Sequence, residues 1–98
     1  MKQWLSIVAY RCEVAGVATD SIDIQVRHYI ADSSEQVDAR VRAEPDISYT
    51  NEDGDVVTWP LVDLLAIEPF TEPTEGAEVI GFVTDCHAFA KWARGDAP

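Results

Sequence analysis

The apolar positions of the chain fall into short runs whose spacing changes from one run to the next. Over 4–13 both parities are apolar, Leu5, Ile7 and Ala9 on one and Trp4, Val8 and Tyr10 on the other. A strand covered on both sides reads this way, so this one is expected at the centre of a sheet. Small and turn-favouring residues over 15–21 then predict a hairpin-like connection. A second strand is expected to begin near Ile22. Between 22 and 30 the alternation is clean: Ile22, Ile24, Val26, His28 and Ile30 on one side, Asp23, Gln25, Arg27 and Tyr29 on the other. This pattern predicts the first set in the core and the second in water.

Asp32, Ser33 and Ser34 offer N-caps, Glu35 and Gln36 fit a capping box, and Pro45 stops the segment at Glu44, which together predict a helix of about three turns. Its apolar stripe is little more than Val37 and Val41. Tertiary contacts must therefore hold it down, with Arg40 and Arg42 in water. The runs 47–50 and 56–59 flank Asn51-Glu52-Asp53-Gly54-Asp55, a hairpin signal in which Asp-Gly supplies positive backbone angles. Pro60 interrupts the second arm, and 61–67 continues as a strand or a buried helical turn. Beyond a loop with Pro69, Pro73 and Gly76, the run 78–83 reads as a last strand. A final helix is expected from a cap at Thr84 or Asp85 through Ala93, with Cys86, Phe89, Ala90 and Ala93 on one face.

These elements predict one α+β domain spanning 1–98: a mostly antiparallel sheet of about five strands with two helices packed on it, in the order β-β-α-β-β-β-α. A length of 98 residues supports one core and not two, and an apolar fraction of 47% is enough to build it. No stretch approaches the apolar length of a membrane span, and the opening residues lack a charged region followed by an apolar run, so the expected compartment is the cytoplasm.

Charge changes the picture most. Seven Lys and Arg against 18 Asp and Glu give a net charge of −11. Such a chain repels phosphates and anionic lipid, which disfavours nucleic acid and membranes and favours a basic protein surface as partner. Solubility alone is the plainer meaning of the same charge. Cys12 and Cys86 are too few for a disulfide framework and are expected as free thiols.

The run Tyr49-Thr50-Asn51-Glu52-Asp53-Gly54-Asp55-Val56-Val57-Thr58-Trp59, then Leu61-Val62-Asp63-Leu64 and Gly76-Ala77-Glu78-Val79, together with the Trp4 start, resembles the bacterial domain-of-unknown-function family 4288. The resemblance covers about four fifths of the chain in its order of elements. Pro60 straight after the hairpin Trp departs from it, as does the tail from Asp85. The resemblance implies a small cytoplasmic bacterial domain and carries no chemistry to any residue.

The motifs that could carry chemistry are few. Asn51-x-Asp53-x-Asp55 has the opening spacing of a calcium loop, but Val56 stands where glycine is required and Val62 where the closing Glu belongs, so a hairpin turn is the better reading. Cys86-His87, and His28 with Cys12, lack metal-ligand spacing. His28 on the apolar side of its strand reads as a structural, hydrogen-bonded histidine before a catalytic one. Glu68, Glu72, Glu75 and Glu78 form either an acid–base set or, more plainly, a solvated acidic rim. Tyr49 and Trp59 on the hairpin are candidate interface anchors, and Trp4 is a core residue. No phosphate loop, nucleophile elbow or zinc motif is present, and no cofactor or metal is expected.

The leading expectation is a non-enzymatic, inhibitor-like or immunity-like module covering a basic protein surface with its hairpin and acidic loop. The alternative is a small-ligand-binding domain or small enzyme with a site near His28 and Tyr49. A homodimer through an edge strand or an aromatic patch fits either.

Overall fold

The computed structural model describes residues 1–83. They form a five-stranded, wholly antiparallel sheet with one helix on one face, in the order β1 (Lys2–Val14), β2 (Val17–Ala31), α1 (Ser34–Ala43), β3 (Ile47–Thr50), β4 (Val56–Trp59) and β5 (Leu61–Pro69). The second helix expected at the C-terminal end lies outside the described residues, as does Cys86.

β1 is the central strand, as its two apolar parities predict. It pairs along its length with β2; on its other side it pairs with β5 from Trp4 to Tyr10 and with β4 at Glu13 and Val14. β4 and β5 thus run as one interrupted strand beside β1. Pro60 marks the interruption: its carbonyl accepts from the Arg11 N–H at 3.1 Å, next to the β1 irregularity at Cys12. Thr19 Oγ1 donates to the Cys12 carbonyl at 3.0 Å, supplying a partner where the ladder shifts. The Cys12 thiol is free and buried.

Two turns need glycine. Ala15 and Gly16, with φ of 51° and 79°, make a two-residue turn between Val14 and Val17, so β2 starts five residues earlier than the expected Ile22. Positive φ at both central residues matches the right-handed twist of the flanking strands. In the second hairpin Gly54 has φ of 83°, and Asn51 Oδ1 accepts from the N–H groups of Asp53 and Asp55 at 3.0 and 2.9 Å. That side chain organises the turn, which is how the calcium-like spacing is used.

α1 begins where the capping signals place it. Ser33 Oγ accepts from the Gln36 N–H at 3.3 Å, and Gln36 Oε1 accepts from the Asp32 N–H at 2.8 Å. Val37 and Val41 are buried against Trp4, Val8 and Ala31, contributing about 2 kcal/mol each from removal of apolar area. Trp4 Nε1–H donates to the buried Ala31 carbonyl at 3.0 Å, tying the end of β2 to the face where the helix lies. Ser6 is fully buried in this row, and its hydroxyl meets no partner among the described residues.

The sequence reading of β2 is inverted. Tyr29 and Ala31 face the helix and the core, with Arg27 and Gln25 beneath the helix end, while Ile24, Val26 and Ile30 are 47%, 58% and 49% exposed and His28 is exposed beside them. The register with β1 is the cause. Tyr29 stands opposite Trp4 and Arg27 opposite Ser6, so the polar parity of β2 shares the face of the β1 residues that α1 covers.

A second correction concerns the last strand. Residues 78–83 have no regular secondary structure, and the flank of β1 that a closing strand would fill belongs to β5. Leu65 and Val62 sit at register shifts of β5, which explains how a stretch apolar at nearly every position follows a strand beside β1. Among the described residues no helix is long and apolar enough to cross a membrane.

Candidate functional site

The most developed polar arrangement joins β1, β2 and the end of α1. Arg27 forms an ion pair with Glu44, and its Nη1 also donates to the Tyr10 hydroxyl at 3.1 Å. Tyr29 Oη donates to the other Glu44 carboxylate oxygen at 2.7 Å, and the Arg27 guanidinium lies 5.8 Å from the Tyr29 ring centroid. Glu44 reaches this position because it is the residue at which the helix gives way to extended backbone before Pro45. Partial burial would lower the Arg27 pKa, but its bonds to Tyr10 and Glu44 outweigh that effect and hold it charged. Burial, reinforced by the bond to Glu44, pushes Tyr29 up to about 12.

Beside this network is a hollow of about 330 Å³ in which Gln25, Arg42, Pro45 and Ile47 join Tyr10 and Arg27. Its size suits a small molecule. Its chemistry does not favour one, because the guanidinium, carboxylate and phenol are spent on one another and Arg42 pairs with Asp38 at 2.8 Å. Tyr29, protonated well above neutral pH, supplies no base. The network latches the helix end onto the sheet.

The sequence-derived candidates are dispersed. Tyr49 and Trp59 do come together: Trp59 Nε1–H donates to Tyr49 Oη at 3.2 Å, and the hairpin register puts Ile47, Tyr49, Val57 and Trp59 on one face. Ile47 and Tyr49 are more than half and half exposed respectively, and Trp59 is partly buried. Glu68 and Glu78 border one hollow with Leu65 and Phe82, and Glu72 and Glu78 border another with Pro73 and Val79. Glu75 lines neither, and all four carboxylates are exposed, which is the solvated rim.

His28 is hydrogen-bonded to Gln3 at 2.9 Å and meets Phe70 edge to face, with ring centroids 6.2 Å apart. It does not join Tyr49. His28 faces Leu5 near one end of β1, while the hairpin pairs with Val14 at the other, and a strand spans about 30 Å over that interval. The shared ligand site expected between them does not form. Among the described residues no group of three or more His, Cys, Asp or Glu is placed to hold a metal ion.

Sequence reasoning missed Tyr10, Arg27, Tyr29 and Glu44. The available signal was an Arg and a Tyr two positions apart on one strand face, followed by a Glu at a proline-stopped helix end.

No family model, curated protein or solved structure matches the chain.

Proposed function

We propose that this protein is a non-enzymatic interaction module, of the inhibitor or immunity type, that covers a basic protein surface. The observation that carries this reading is how the cations are used. Arg27 is paired with Glu44, Arg42 with Asp38, and Arg40 donates to the Ile30 carbonyl, while Glu68, Glu72, Glu75 and Glu78 are exposed. With a net charge of −11, the exposed carboxylates set up an acidic field, which steers and selects a basic partner.

The Tyr49–Trp59 pair supplies the anchor. Two amphipathic rings held by a mutual hydrogen bond lose little freedom on binding. The acidic segment from Glu68 to Glu78 is the rim in this reading. The setting in this reading is the bacterial cytoplasm, and neither nucleic acid nor membrane is the partner.

The test is capture on immobilised protein from bacterial lysate. A basic protein should be retained at low salt and released by about 0.3 M NaCl, where the Debye length is well under 10 Å. It should also be lost from columns carrying Tyr49→Ala or Trp59→Ala. Retention of nothing at low salt, or retention indifferent to both salt and the two substitutions, refutes the proposal.

A further inference from the structure

The outer edge of β2 presents its backbone and its apolar side chains from the same residues. Three hydrogen bonds establish this. The Arg11 N–H goes to Pro60 and the Gln3 carbonyl accepts from Phe70 at 2.9 Å, so the odd residues of β1 point their backbone groups toward β5. The even ones, Trp4, Ser6 and Val8, therefore point toward β2 and bond their partners Tyr29, Arg27 and Gln25. That leaves Ile22, Ile24, Val26, His28 and Ile30 with backbone groups directed outward, and the Ile30 carbonyl indeed accepts from the Arg40 side chain instead of from β1. These are the residues whose side chains stand on the face away from α1, with Ile24, Val26 and Ile30 about half exposed.

Among the described residues β2 is the outermost strand on its side of the sheet and is 15 residues long, whereas β3 on the other side has four. Proteins protect long edges with Lys, Pro, bulges or short strands. Between Ile22 and Ile30 there is no Lys, no Pro and no register shift against β1. Among the described residues only the Ile30 end is closed, by Arg40.

We propose that this edge pairs with the same edge of a second copy, antiparallel about a two-fold axis at Val26, joining two five-stranded sheets into one. Over Ile22–Ile30, the stretch free of register shifts, that register gives the fullest self-complementary overlap. Val26 meets Val26, Ile24 meets His28 and Ile22 meets Ile30 on the face away from α1, while Gln25 meets Arg27 and Asp23 meets Tyr29 on the other. Centring on Arg27 would oppose two guanidinium groups, centring on Gln25 would set Ile30 against Asp20, and a one-residue slip would turn the apolar row against the polar one. His28 enters the row with its ring already bonded to Gln3. The contact is isologous, and each copy completes the open edge of the other. This pairing stands apart from the basic-partner reading, and the two respond oppositely to salt. Two copies of charge −11 repel, so screening strengthens the dimer.

Sedimentation velocity and amide exchange by NMR test it on the full chain. A strand-edge contact of this size sits at the small end of specific interfaces, so dimer is expected at about 300 µM, monomer at about 5 µM, and tighter association in about 0.5 M than in 0.05 M NaCl. In the dimer the amides of Ile24, Val26 and His28 should exchange slowly, like those of Gln25, Arg27 and Tyr29. In the Val26→Lys variant, monomeric at the higher concentration, only the second set should remain protected. Ile24→Lys serves if Val26→Lys does not fold. A wild-type monomer at 300 µM overturns the proposal, as does a dimer whose amides at 24, 26 and 28 exchange freely. Slow exchange at those amides in a monomer also overturns it.

Discussion

The two faces of β2 are the instructive contrast in this molecule. One carries Gln25, Arg27, Tyr29 and Ala31 and lies under or beside α1; the other carries Ile24, Val26, His28 and Ile30, about half exposed at this edge although Leu5, Ile7 and Ala9 on the same face of β1 are buried. By hydropathy alone the burial would be reversed. The reversal follows from neighbours: the β1 residues Trp4 and Val8 on the helix side supply the apolar floor, with buried Ser6 between them, and β2 contributes Tyr29 and Ala31 to its margin. Arg27 and Tyr29 are tolerated there because Glu44 at the helix end satisfies both. A strand's polar parity can thus face a helix when the helix brings the matching charge, and its apolar parity is then left for another surface.

The contrast is broken most severely by Trp4→Ala. It removes the largest side chain of the covered face and its bond to Ala31, and should cost about 4 kcal/mol in urea unfolding. Replacing Glu44 by Gln removes the charge that pairs with Arg27 and receives Tyr29. The loss should be about 1 kcal/mol, because both ion-pair side chains are roughly one-third exposed (36% and 34%) and water screens part of the attraction. A double-mutant cycle of Arg27→Met with Glu44→Gln should show coupling no larger than that.

The latch also has a pH signature. Because Tyr29 is raised from 10 to about 12 in the folded protein, the folded state holds its phenolic proton more tightly than the unfolded chain does. That contribution is complete below pH 10 and is lost as pH rises through 12. Stability should therefore fall more steeply over this interval in the wild type than in Tyr29→Phe, and absorbance of the phenolate should show one late-titrating tyrosine. Identical slopes would mean that the hydroxyl is neither buried nor held by Glu44 in solution.

Ser6→Ala sharpens the contrast from within the core. It removes a fully buried hydroxyl with no partner among the described residues, and should raise stability by up to about 1 kcal/mol. The smallest effect is expected at the exposed edge of β2, where Val26→Ala should change monomer unfolding by under about 0.5 kcal/mol. A loss near that of Trp4→Ala would show that this edge is packed in solution.

Legibility tracked how local each determinant was. The Ser33 cap, the stop at Pro45 and the hairpin around Gly54 were readable because their signals act within a few residues, through a side chain reaching the nearest backbone N–H or a backbone angle only glycine adopts cheaply. The start of β2 was misplaced because Ala15 takes a positive φ that alanine rarely adopts. Residues 78–83 have strand composition but no strand, since pairing depends on which flank of β1 is open. Of the candidate site, Tyr49 and Trp59 were legible separately on the two arms of the hairpin, and the register, which makes them diagonal neighbours, decided that they bond. The Arg27–Glu44 pair was not, because it joins residues 17 positions apart through the docking of a helix.

By itself, then, the sequence determined the charge, the central place of β1, the limits of α1 and the β3–β4 hairpin, all consequences of composition, two-sided apolarity and short-range hydrogen bonding. Tertiary structure alone decided which face of β2 is covered, where β5 lies and what Arg27 does. Burial belongs to the assembled surface, and a strand with one apolar and one polar side takes its orientation from the register it shares with its neighbour.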